Sequence, residues 1–287
     1  MLKRLTHFFN RSSSRKATDD QCVLTSNEHS LDPADICKNA REVVRVLQSR
    51  NFEAYVVGGC VRDILLGFKP KDFDIATNAT PQQVKRLFRR SRIIGRRFQI
   101  VHVQFGRDII EVTTFRSNDT EHTNLVQQAE SGLLTRDNKF GSLVDDATRR
   151  DLTINAIAQA DDGSLIDPYG GQQDLQAKLI RHVSPAFSED PLRVLRAARF
   201  AAHLHHLGFS IAPETQALLI TLVRSSELNT LAKERIWQET CKALASQSPW
   251  VYFEVLEQCG ALDQLMSPLA ELLSRKPHAL TGLQLLS

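Results

Sequence analysis

Apolar positions along this chain recur with two different periods. From Pro33 to Arg50, residues Ile36, Ala40, Val43, Val44 and Leu47 fall at helical spacing. Asp32 followed by Pro33 suits an N-cap with proline at the first helical position. "EAYVV" then reads as a strand, interrupted at Gly58-Gly59, and "VRDILLG" as a short helix closed by Gly67. "DFDIAT" is a second strand. "TPQQVKRLFRR" is a helix capped by Thr80 with Pro81 leading it. "QIVHVQF" and "DIIEVTTF", separated by Gly106-Arg107, predict a hairpin.

Residues 117 to 146 hold few apolar anchors and predict a mobile loop. "LIDPYGGQQDL" reads as a strand and turn, and after Pro185 the pattern is almost wholly helical. Residues 1–33 lack sustained periodicity, and "MLKRLTHFFNRSSSRK" reads as a flexible basic leader rather than a targeting segment. The chain thus divides into an α/β head and an all-helical second part, without internal repeats.

At 287 residues and 42% hydrophobic composition the chain can bury a sizeable core. Net charge is only +3, yet the basic residues are uneven. "VKRLFRRSRIIGRRF" holds Lys85, Arg86, Arg89, Arg90, Arg92, Arg96 and Arg97 without one acid. Such a run suits a phosphate-rich partner, and equally a solvated helix face. Five cysteines without a CxxC pair indicate neither zinc nor a disulfide framework, so a reducing, cytoplasmic setting is expected. No apolar run approaches the roughly 20 residues of a membrane span.

The chemistry concentrates in "GGCVRDILLGFKPKDFDIATNATP". Residues two apart in a strand share a face. Asp72 and Asp74 therefore project side by side, roughly 6–7 Å apart, with Phe73 and Ile75 toward the core. Two converging carboxylates repel unless a cation lies between them. Magnesium, which combines carboxylates with substrate phosphates, fits that role. A bare DxD is also what a solvated surface strand shows. Gly58-Gly59 at a strand-to-helix junction can present backbone N–H groups to a triphosphate, with Arg62 one turn on. Glu111, opposite in direction to Ile110 and Val112, is the natural third carboxylate.

"VVGGCVRDILLG", "KDFDIAT", "EVTTFR", "RRDLTINAIA" and "EDPLRVLRAARFAA" together resemble the bacterial tRNA nucleotidyltransferase and poly(A) polymerase family, class II of the polymerase-β-like nucleotidyltransferases. The resemblance implies an α+β fold. A polymerase-β-like head with a mixed sheet would occupy residues 34–182, an all-helical neck 183–245, and the start of an RNA-binding helical body 246–287. It implies transfer of a nucleoside monophosphate from a triphosphate to an RNA 3′ end without a nucleic-acid template. It further implies that Gly58, Gly59 and Arg62 hold the triphosphate and that Asp72 and Asp74 bind Mg2+. Arg150 and Asp151 would contact the nucleotide. Asp190 and Arg193 would read the edge of the base, and Arg196 and Arg199 would complete the pocket.

Asp190, Arg193, Arg196 and Arg199 recur every third residue, so neighbours adjoin on a helix surface. A carboxylate accepts from an exocyclic amine while arginine donates to ring or carbonyl acceptors. The same segment is also a helix with an acidic start and a basic tail that suit its dipole.

The head, with "IIGRRFQIVHVQFG", resembles bacterial poly(A) polymerase I. From about Asn155 onward, through "LAKERIWQETCKAL", the chain resembles gammaproteobacterial CCA-adding enzymes. Members of the family continue past "SPLAELLSRKPHALTGLQLLS", so part of the RNA platform is expected to be missing. Lys85, Arg89, Arg90, Arg96 and Arg97 would supply an RNA track. AMP addition from ATP with Mg2+ is favoured, and CCA addition to tRNA from CTP and ATP is the alternative. An inactive RNA-binding remnant is a third reading, against which the intact DxD speaks. His203, His205 and His206 lack zinc spacing and read as helix-end residues. Cys60 reads as a small buried residue.

Overall fold

The computed structural model describes residues 23–25, 29, 31–95, 99–117 and 141–275. The expected leader (apart from its last few residues), most of the loop expected over 117–146, and Arg96 and Arg97 lie outside them. An eight-stranded sheet is built from β1 (Val23–Leu24), β2 (Ala54–Val57), β3 (Asp74–Thr77), β4 (Ser91–Ile94), β5 (Ile100–Phe105), β6 (Asp108–Thr114), β7 (Ala158–Gln159) and β8 (Leu165–Ile166). Its order is β1-β8-β7-β2-β3-β6-β5-β4. β3 and β6 run parallel and every other pair antiparallel, so the sheet is mixed as expected.

One face of the sheet is covered by α1 (Lys38–Gln48) and α3 (Pro81–Leu87). Ala40, Val43, Val44, Leu47 and Val84 pack there against Val56, Ile75, Val101, Val103, Ile110 and Val112. Strand alternation sends Asp74, Glu111 and Thr113 to the other face, where a small cluster of Val57, Ala76, Phe115, Leu143 and Ala158 forms.

Several expectations are corrected in detail. The helix expected from Pro33 is two pieces. Asp32 caps only a 3-10 turn, Pro33–Asp35, and α1 starts afresh under Cys37, whose Sγ accepts from the Ala40 N–H at 3.4 Å. Thr80 and Gln83 form a reciprocal capping box, but α3 ends at Leu87. Arg89 and Arg90 therefore leave the helix and lead into β4, a strand hidden in the basic run. Asp72 and Phe73 precede β3 rather than lie in it. The end of the expected loop is helical: α4 (Leu143–Thr148) starts from a Ser142–Asp145 capping box. "GGQQDL" is likewise helical, as α5 (Gly171–Ala177).

The second part contains α6 (Leu192–Leu204), α7 (Pro213–Arg224), α8 (Lys233–Leu244), α9 (Pro249–Gln258), α10 (Ala261–Leu265) and α11 (Ser267–Arg275). It is not wholly helical. β9 (Leu179–Ile180) pairs in parallel with β10 (Ser210–Ile211), tying the end of the head to the loop before α7. α6 is the pillar of this part. Val194, Leu195, Ala198, Ala202 and Leu204 are fully enclosed, and α8 and α9 pack on it. Among the described residues no helix is long and apolar enough to cross a membrane.

Candidate active site

A cavity of about 1120 Å3 opens between the sheet and α6. Gly58, Gly59, Arg62, Asp72, Asp74, Glu111, Arg150, Asp151, Asp190, Arg193, Arg196 and Arg199 all line it. Four separate stretches of sequence therefore meet on one space.

The first stretch is the glycine turn. β2 ends at Val57, and Gly58 takes φ 84° and ψ −136° while donating its N–H to the Ile157 carbonyl at 3.1 Å. That backbone conformation excludes ordinary side chains. A Cβ at Gly58 would also meet Arg150 Nη1 at 2.9 Å. α2 (Gly59–Leu65) follows and buries Arg62. Its guanidinium donates to Asn155 Oδ1 at 2.6 Å and to Asp63 Oδ1 at 2.6 Å, and lies 5.1 Å from the Phe200 ring centre.

The second stretch carries the acids. Asp74 is the direct register partner of Glu111 across the parallel β3–β6 pair. Burial, then Glu111, push the Asp74 carboxyl up to about 6, with Asp72 adding and Arg150 opposing. Asp72 is exposed at the mouth. Glu111 Oε1 sits 3.3 Å from His102 Nε2 on the neighbouring strand β5. Among the described residues no three acidic, histidine or cysteine side chains close on one point. Magnesium does not need such a cage, because it takes one or two carboxylates together with substrate phosphates. The donor set fits: hard oxygen ligands, and like charges close enough to hinder one another's ionisation until a cation joins them.

The third stretch is "RRDLTIN". Arg150 donates to the Asn155 carbonyl at 3.2 Å and to Asp146 Oδ2 at 3.1 Å. Asp151 is buried and would for that reason alone sit high. Arg196, Asn155 and the Leu152 N–H outweigh burial and hold it below the ordinary carboxylate range. The 3-10 turn Thr153–Asn155 that shapes this stretch is braced by α5. A Cβ at Gly171 would lie 2.3 Å from the Thr153 carbonyl oxygen.

The fourth stretch is α6. Asp190 stands two residues before the helix instead of on it, and its Oδ1 accepts from the Leu192 N–H at 3.0 Å. Its Oδ2 pairs with Arg235 Nη2 at 2.8 Å. Arg193 donates to the carbonyls of Ala186 at 2.6 Å and Arg149 at 2.5 Å. Arg199 Nε bonds Glu239 Oε2 at 2.6 Å, and its guanidinium carbon lies 4.2 Å from the Phe200 ring centre.

Part of the basic run lies elsewhere. Lys85 is exposed on α3, on the opposite face of the sheet, and Arg89 and Arg90 line a separate groove with Phe88 and Phe105. Sequence reasoning missed Asn155, Phe200, Arg235 and Lys242, which also line the cavity. Asn155 stood inside a motif already singled out. Arg235 lies 45 residues from Asp190 and gave no local signal. His203 and His206, read as helix-end residues, face the same cavity beside Phe68.

Residues 54–181 match the family model described as the poly A polymerase head domain. Residues 208–273 match the one described as the probable RNA and SrmB-binding site of polymerase A. Poly(A) polymerase I of Haemophilus influenzae is 39% identical over 277 residues, 93% of this chain and 59% of that protein. The multifunctional CCA protein of Psychromonas ingrahamii is 47% identical over 215 residues, 74% of this chain and 50% of that protein. Among solved structures, the Bacillus stearothermophilus CCA-adding enzyme in complex with CTP aligns with TM-score 0.63 and 34% identity over 76% of this chain and 50% of its own. A tRNA nucleotidyltransferase complexed with a primer tRNA and an incoming ATP analog aligns with TM-score 0.63 and 31% identity, over 78% of this chain and 62% of its own. The chain spans between half and three fifths of the length of these curated relatives.

Proposed function

This chain belongs to the bacterial tRNA nucleotidyltransferase and poly(A) polymerase family, and we propose that it extends RNA 3′ ends without a template, adding AMP from ATP. The observation that carries the reading is the convergence of the glycine turn, the Asp74–Glu111 pair and the arginines of α6 on one cavity. The terminal 3′ oxygen of the RNA attacks the α-phosphorus. A new O–P bond forms, the α–β phosphoanhydride breaks, pyrophosphate leaves, and the hydroxyl proton is released.

Asp72 and Asp74 would hold Mg2+, which supplies charge for the phosphates and acidifies the attacking hydroxyl. The chain's own groups do the rest. The backbone at Gly58 and Gly59, with Arg62 and Arg150, binds and orients the phosphates. Glu111 stands beside Asp74 to receive the hydroxyl proton. Asp190 and Arg193 face the base, and the bonds they already make, to Arg235 and to the Ala186 and Arg149 carbonyls, hold them in place while their spare lone pairs and N–H groups meet the base edge. Asp151 holds Arg196 in place.

A CCA-adding activity is the second reading, favoured by the 47% identity to the multifunctional CCA protein, higher than to the poly(A) polymerase. Incubation with Mg2+, single nucleoside triphosphates, and either an oligo(A) primer or a tRNA lacking its end separates the two. A long ladder with ATP alone supports tailing. Two C additions followed by one A support CCA addition. No extension of either RNA overturns both.

A further inference from the structure

The catalytic face of the sheet does not stop at the acids. Glu111 is the register partner of Asp74 on one side and of His102 on the other, and His102 is in turn the partner of Arg92. Directly paired residues share a face, so Asp74, Glu111, His102 and Arg92 form one row across β3, β6, β5 and β4. At a strand spacing of about 4.8 Å, two steps place Arg92 about 10 Å from Glu111 and three about 14 Å from Asp74. The row on one side is Ala76, Thr113, Ile100 and Ile94, and the row on the other side includes Ile109 and Gln104.

This outer part of the face carries no covering element among the described residues. Ile94 is 45% and Ile109 48% exposed, while His102 and Ile100 are half-buried and Arg92 is exposed. On the reverse face the same strands are sealed by α1 and α3. This face therefore sets isoleucines on either side of an imidazole and a guanidinium, and its middle row leads strand by strand to the active-site acids.

We propose that this face is the track for the last nucleotides of the RNA being extended. Bases lie on Ile94, Ile100, Ile109 and the His102 ring, and Arg92 holds a phosphate a few nucleotides behind the reacting 3′ end. This rests on the nucleotidyltransferase reading and adds to it where the acceptor strand runs. Single-stranded RNA is the occupant the chemistry favours. Imidazole and flat apolar surfaces accept any base face, arginine takes the backbone, and the reaction itself demands a 3′ terminus beside Asp74. It also separates the acceptor from the α3 side, where Lys85 stands.

The test compares Arg92→Glu, Arg92→Lys and Ile94→Glu with Arg45→Glu, the same charge reversal at an exposed site on α1. A fluorescent oligo(A) ending in a 3′-deoxynucleotide reports RNA binding across salt concentrations, and calorimetry reports ATP binding separately. Arg92→Glu is expected to weaken RNA binding about tenfold and to lower the salt slope by about one, with ATP binding within twofold of the parent. Arg92→Lys and Arg45→Glu should stay within about threefold of the parent. A photoreactive residue at position 94 should crosslink to the terminal nucleotides. Parent-like RNA binding by Arg92→Glu and Ile94→Glu, or a crosslink to protein instead of RNA, overturns the track. A parent chain that extends RNA while these variants bind it normally refutes only the track. A parent chain that extends no RNA refutes the functional reading first.

Discussion

Arg196 reaches from the second turn of α6 back to the head and closes on Asp151, its Nε 2.7 Å from Oδ2. The carboxylate is buried while the guanidinium is about one-third exposed. The pair also ties two parts of the cavity wall to one another, so it is at once a structural and a positioning contact.

Removing one partner strands the other. Asp151→Asn is expected to cost about 2–3 kcal/mol, read as a loss of several degrees in Tm, because it leaves Arg196 facing an uncharged neighbour. Arg196→Ala should cost at least as much, since a carboxylate is then left buried. Either variant should raise KM for the nucleotide. Parent-like melting of both would show that the pair contributes no stability.

Asp74→Asn should stabilise the protein while abolishing nucleotide incorporation. The native carboxyl at about 6 lies above its value in an unfolded chain, so the native state binds more protons between roughly pH 4 and 6. Stability linked to this group is therefore greatest below pH 4 and is lost as pH rises through 6. At pH 8 the amide removes that penalty, on the order of 1–2 kcal/mol after allowing for partial exposure. The gain in Tm should be clear at pH 8, shrink at pH 5, and vanish in the parent at pH 8 when Mg2+ already neutralises the site. A lower Tm at pH 8 without metal would mean that the acids do not repel as described.

Gly58→Ala should damage both stability and nucleotide affinity. A methyl group there adopts a backbone conformation that costs on the order of 1–3 kcal/mol and displaces the Arg150 side chain. Denaturant melts and calorimetric ATP binding should both weaken, with kcat affected less than KM. Unchanged ATP binding would remove the glycine turn from the nucleotide site.

Arg235→Ala should leave stability nearly intact and disturb base choice. The Asp190–Arg235 pair is substantially exposed on both sides, so its loss should change stability by less than about 0.5 kcal/mol. Without Arg235 the Asp190 carboxylate keeps only the Leu192 N–H of its two anchors, and incorporation of disfavoured nucleotides should rise several-fold relative to ATP. Unaltered selectivity would detach Asp190 from base reading.

The sequence was most legible where punctuation was strong. The Gly58-Gly59 turn, the Thr80-Pro81 helix start and the hairpin at Gly106 announced β2, α2, α3, β5 and β6, and the alternation about Ile75 and Val112 put Asp74 and Glu111 on one face. α4 was also announced, by Ser142 with Asp145 three residues on, but the polarity around it argued for a loop. β4 was masked by Arg92 and the arginines before it, since charge density read as a helix face where Ile93 and Ile94 alternate in burial and exposure. Pairings such as Asp190 with Arg235, or Arg62 with Asn155 across 93 positions, are set by how helices stack. No short-range pattern carries them.

Gly171 illustrates how far control of the chemistry extends from the chemistry. Its backbone presses on the turn that presents Asn155, and Asn155 in turn steadies Arg62 and Asp151. A single added methyl, sixteen positions from Asn155, would be transmitted to Arg62 and to the Asp151–Arg196 contact together. Random mutagenesis selecting for intact folding but lost incorporation should therefore strike this silent position as readily as the acids themselves.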